Sequence, residues 1–100
     1  MIFAELEYQE HYAELHTELV AFVSTNFSRV KAGLQGDSWV LILDGEEKVE
    51  IDTFTSMKHQ IKSPKPGSHV QKVVDLLLQK YKLKMFKPPE LEDHEDSPCN

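Results

Sequence analysis

The run Trp39-Val40-Leu41-Ile42-Leu43, closed by Asp44-Gly45 and answered by Val49-Glu50-Ile51-Asp52-Thr53, constrains this chain more than any other stretch. Five consecutive apolar residues suit a strand covered on both faces. Asp-Gly supplies the short side chain and the freedom at positive φ that a two-residue hairpin turn demands. An antiparallel hairpin therefore sits mid-chain, and everything else must cover or extend it.

Two segments have the period of helices. Tyr8, Tyr12, Leu15, Leu19, Phe22 and Val23 fall three and four residues apart, predicting a helix near 8–24 that leaves at Thr25-Asn26 through a left-handed asparagine. Val70, Val73, Val74, Leu77, Leu78 and Tyr81 predict a second helix over 68–81, opened by Ser68 and Gln71 as a capping box. Leu76 widens its apolar stripe beyond one packing face and is a candidate partner contact. Between the helices, Phe27–Leu34 alternates weakly as an edge strand, with Gly33 and Gly36 bracketing the next turn. Met57–Lys62 alternates as a further strand, although one helical turn would also suit it. Ile2, Ala4 and Leu6 fit either a short strand or the start of the first helix. Lys82–Lys87 reads as a last, lysine-bearing edge strand stopped by Pro88-Pro89, since proline removes a ladder donor. The expected fold is α+β: a two-layer sandwich whose mostly antiparallel sheet of about four strands carries two helices on one face, over residues 1–88, followed by a disordered acidic tail from 89 to 100.

Charge narrows the function. Residues 1–56 carry −8, residues 57–87 carry +7 and residues 88–100 carry −5, making up the net −6. If sequence neighbours remain surface neighbours, the chain presents a basic patch between two acidic regions. Lys58, His59, Lys62, Lys65, Lys82 and Lys84 are the candidate binding surface, and clustered lysines could hold phosphates of RNA or DNA. That segment has no arginine for bidentate base reading and few aromatics for stacking. Lysines on an outer strand also serve simply to discourage edge-to-edge pairing. For the acidic tail the plainer expectation is a solubilising appendage that touches nothing, with transient contact at Lys58, Lys62 or the Lys82/Lys84/Lys87 row as the alternative.

Candidates for chemistry are sparse. Asp52, Ser56 and His59 are the right types for a hydrolytic triad but have no nucleophile elbow around them. His59 alternates onto the Met57/Ile61 side, where a buried imidazole satisfied by a backbone carbonyl is the plainer expectation. His11 and His16 lie about 140° apart on a helix, too far to share an ion, and the Glu7/Glu10/Glu14/Glu18 row reads as a solvated face. Pro66-Gly67-Ser68-His69 lacks the remaining residues of a phosphate loop. Cys99, the single cysteine, excludes an intrachain disulfide. Neither a membrane span nor a signal peptide is visible. We therefore expect a small cytoplasmic, non-enzymatic interaction module without cofactor or metal, binding an unidentified protein or a second copy of itself, with nucleic acid as the alternative partner.

Overall fold

A computed structural model describes residues 1–92. The element order is β1 (Ile2–Glu7), α1 (Tyr12–Asn26), β2 (Val30–Gln35), β3 (Asp37–Asp44), β4 (Glu47–Asp52), β5 (Gln60–Lys62), α2 (Ser68–Leu78) and β6 (Lys82–Glu90). All strands join one sheet in the order β2-β3-β4-β5-β1-β6, and every neighbouring pair is antiparallel. The α+β class and the antiparallel sheet agree with the sequence, but six strands stand where about four were expected.

The expected hairpin is present, with Asp44 opposite Glu47 and Gly45 at φ 63° in the two-residue loop between them. Around it the burial is one-sided. Ser38, Val40 and Ile42 are fully buried, whereas Trp39, Leu41 and Leu43 remain half-buried, so the run expected to be covered on both faces is fully covered on one. Val49, Ile51 and Ile61 continue the buried set and meet Leu15, Leu19 and Val23 of α1 and Val70, Val73, Val74 and Leu77 of α2 in one cluster.

β1 settles the ambiguity at the N-terminus. Ala4 and Leu6 are fully buried and β1 lies between β5 and β6, paired with both. A segment that close to the chain start becomes an interior strand because the crossover through α2 carries the chain past it, leaving a gap that only β1 fills.

Several boundaries move for identifiable reasons. α1 begins at Tyr12, four residues after its apolar period, because His11 accepts the Ala13 amide on Nδ1 and caps it. It ends without a left-handed residue: among the described residues none other than glycine has positive φ, and Phe27 leaves in extended conformation. The capping box at α2 does not form. Gly67 is the cap, no side chain bonds there, and Gln71 donates to Asp75 instead. Gly67 has φ 157°, and a Cβ there would lie 2.8 Å from the His69 ring, so the position requires glycine. β2 continues through Gly33, leaving Gly36 (φ 84°) to make the turn. β5 shrinks to three residues because Thr53–His59 folds into a loop held by Phe54 N–H on Asp52 and Lys58 N–H on Ser56. Finally, β6 continues through Pro88-Pro89, which fall where the register with β1 shifts between the Ile2–Glu90 and Ala4–Met85 pairs, so their missing donors interrupt no regular ladder. Of the tail expected over 89–100, Pro89 and Glu90 are thus in the sheet, and residues 93–100 lie outside the described residues.

Candidate functional site

Folding sets many of the lysines beside acidic residues. Register sets Lys82 opposite Glu7 and Lys84 opposite Glu5. Lys65 pairs with Glu47, Lys72 with Asp44 and Lys80 with Glu18. Lys58 donates to the Tyr8 carbonyl and lies 4.4 Å above the Tyr8 ring. Each partner comes from the acidic first half of the chain, so folding interleaves the charge that the sequence segregates. At the surface such pairs contribute little stability, but they lower the positive potential offered to a polyanion.

Lys62 is different, being 3% exposed. Its ammonium lies 2.6 Å from Asp52 and bonds Glu92 and the Thr55 hydroxyl. Burial pulls its pKa down, and the hydrogen bonds and charges of Asp52 and Glu92 outweigh that pull, leaving it above the ordinary lysine value. Glu92 thus makes one of the contacts left as the alternative for the tail, the one to Lys62.

His59 is fully buried, and two hydroxyls rather than a backbone carbonyl satisfy it. Nδ1 lies 2.8 Å from the Tyr8 hydroxyl and Nε2 2.7 Å from Ser38 Oγ. Ser38 Oγ also lies 2.6 Å from His16 Nδ1, and the His59 amide donates to the Tyr8 hydroxyl. A continuous chain Tyr8–His59–Ser38–His16 thus joins the residue after β1 to α1 through β3 and the residue before β5. Burial and the nearby His16 lower the His59 pKa to about 4, burial lowers that of His16, and burial raises that of Tyr8 to about 12. Tyr8, with Glu7, Gln9 and Lys82, lines an open cleft of about 400 Å³. The sequence marks His59 as a candidate and His16 only as a possible metal ligand, because Tyr8, His16 and Ser38 are brought to His59 only by tertiary structure.

The would-be triad is dispersed: Asp52 bonds Lys62, Ser56 bonds Glu5 and His59 bonds Tyr8 and Ser38. Among the described residues no three His, Cys, Asp or Glu side chains converge as metal donors, and no helix is long and apolar enough to cross a membrane. Leu76 is not a surface residue. At 8% exposure it joins the buried side of α2, while Leu78, two positions on, is 52% exposed, because the helix turns about 200° over those two residues.

The sheet edges are unequal. β6 carries Lys82, Lys84 and Lys87 and the two prolines, which obstruct strand addition. β2, at the other end, carries Lys31 as its sole charge, and Ala32, Leu34 and Gln35 are exposed. Behind it Trp39 lies against Gly33, so closely that a Cβ on Gly33 would come within 2.6 Å of the indole. No family model, curated protein or solved structure matches the chain.

Proposed function

We propose that this protein is a small intracellular, non-enzymatic interaction module, arranged in two layers with both helices on one face of the sheet, and that its partner is a second copy joined edge to edge through β2. The observation that carries the reading is the inequality of the two edges. A six-residue strand with unpaired backbone groups and a single lysine is a template for strand addition, and nothing comparable to the β6 lysines and prolines obstructs it. Antiparallel pairing about a twofold axis keeps both sheets continuous when Ala32 or Gly33 faces its own counterpart. Lys31 then meets Gly33 or Gln35, so no like charges oppose each other. The half-buried row Trp39, Leu41 and Leu43 would run beside the seam and widen the apolar contact.

Sedimentation equilibrium across a wide concentration range tests this. The unmodified chain is expected to dimerise with little response to salt, and Ala32→Lys with Leu34→Lys is expected to return it to a monomer while circular dichroism stays unchanged. A monomer at every concentration, or a dimer indifferent to the added lysines, would overturn the proposal. The nucleic-acid reading has less support, because Lys65, Lys72 and Lys80 are paired with carboxylates and Lys62 is buried. Salt-sensitive binding of short RNA or DNA would restore it.

A further inference from the structure

The chain Tyr8–His59–Ser38–His16 admits two ways of placing its protons, and they differ at Tyr8, a residue that lines the cleft. In one, Tyr8 O–H donates to His59 Nδ1, His59 Nε2–H donates to Ser38 Oγ, and Ser38 O–H donates to His16 Nδ1. In the other every bond runs in reverse, and the Tyr8 proton is left to point away from His59. A neutral His16 in its commoner Nε2–H form leaves Nδ1 as an acceptor and selects the first arrangement. A protonated His16 carries N–H on both nitrogens, so Nδ1 must donate to Ser38. Ser38 can then donate only to His59 Nε2, and a neutral His59 must hold its proton on Nδ1, bonded to the Tyr8 oxygen.

We propose that Tyr8, His59, Ser38 and His16 form a reversible proton wire in which protonation of His16 at the helix surface switches the tautomer of the buried His59 and turns the Tyr8 hydroxyl from a donor toward the interior into a donor toward the cleft. No net charge enters the core: Ser38 passes its proton to His16 Nδ1, His59 passes its Nε2 proton to Ser38, Tyr8 passes its own to His59 Nδ1, and the one proton taken from solvent restores the Tyr8 hydroxyl, so the added charge resides on His16, whose Nε2 keeps the proton it already carried. The linkage is reciprocal, so an acceptor that engages Tyr8 from the cleft raises the proton affinity of His16. This inference is independent of edge pairing.

The surroundings leave His16 as the trigger. Burial and the nearby His16 hold His59 near 4, so it stays neutral, and His16 is the more exposed of the two imidazoles. Around Tyr8 stand Lys58, bonded to its carbonyl, and Glu5 and Glu10, whose charges raise its pKa, so the phenol keeps its proton. Of the strands packed on α1, β3 contributes Asp37, which accepts from Thr53, and Asp44, paired with Lys72, while β2 contributes Lys31. None of these carboxylates is bonded to the wire.

Imidazole nitrogen-15 NMR across a pH titration reads the switch directly. The protonated and unprotonated nitrogens of His59 are expected to exchange identity with the same midpoint as His16, while His59 stays neutral. His16→Gln, at a half-buried surface position, is expected to abolish the exchange and leave His59 in one tautomer at every pH. A His59 that keeps its tautomer while His16 titrates would overturn the proposal, as would an exchange that survives in His16→Gln.

Discussion

Acidification is expected to destabilise this protein by an amount that His59 largely sets. The imidazole is fully buried, held near pKa 4 in the folded chain against an ordinary 6.5 once unfolded. Between these values the unfolded chain binds a proton that the folded one refuses. Stability contributed by the neutral histidine is therefore complete above about pH 6.5 and is lost as pH falls toward 4. A shift of 2.5 units corresponds to about 3 kcal/mol at 1.36 kcal/mol per unit, a large fraction of the roughly 5–15 kcal/mol of a typical domain. Urea unfolding at closely spaced pH values gives the curve. Other groups titrate in the same range, so the comparison is with His59→Gln, which keeps an amide donor and acceptor but cannot ionise. The unmodified chain should lose about 3 kcal/mol more than this variant between pH 7 and pH 4. Parallel curves would mean that His59 titrates normally when folded, and would refute its burial between Tyr8 and Ser38.

Other substitutions test separate parts of the account. Gly33→Ala drives a methyl against the Trp39 indole and should cost about 1–3 kcal/mol, with a change in tryptophan fluorescence. Lys62→Met leaves Asp52 buried beside an apolar chain and should cost about 3–5 kcal/mol in urea unfolding. Glu92→Gln should cost less than that, since Asp52 still neutralises Lys62. Leu76→Ala should cost about 2–5 kcal/mol and leave association unchanged, whereas Leu78→Ala should stay within about 0.5 kcal/mol by the same assay.

The local signals in the sequence were strong wherever one segment determines its own structure. Asp44-Gly45 gives its hairpin, and the three-and-four spacing of Leu15, Leu19, Val23 and of Val70, Val73, Val74, Leu77 gives the two buried helix faces. What escaped depends on distant partners. Ile2–Glu7 is too short to reveal a period, and only the sites left by β5 and β6 make it an interior strand. Pro88-Pro89 reads as a stop, yet the two prolines occupy the irregular stretch where the β1–β6 register shifts, and the strand resumes at Glu90 opposite Ile2. Leu76 and Leu78 are indistinguishable in composition, and the helix phase alone separates core from surface. The surroundings of the lysine segment were the least legible, because charge segregated along the chain meets acids of β1, α1 and the β3–β4 hairpin only on folding. The hydrogen-bonded chain through His59 unites residues separated by 51 and 22 positions, a distance no local pattern encodes.

Amide hydrogen exchange at low and high protein concentration tests edge pairing most directly. Outward-facing amides at alternate positions of Val30–Gln35 should gain protection as concentration rises, while those of Lys82–Glu90 do not change. Exchange on β2 that is independent of concentration, or protection that appears on β6 instead, would contradict the proposed interface.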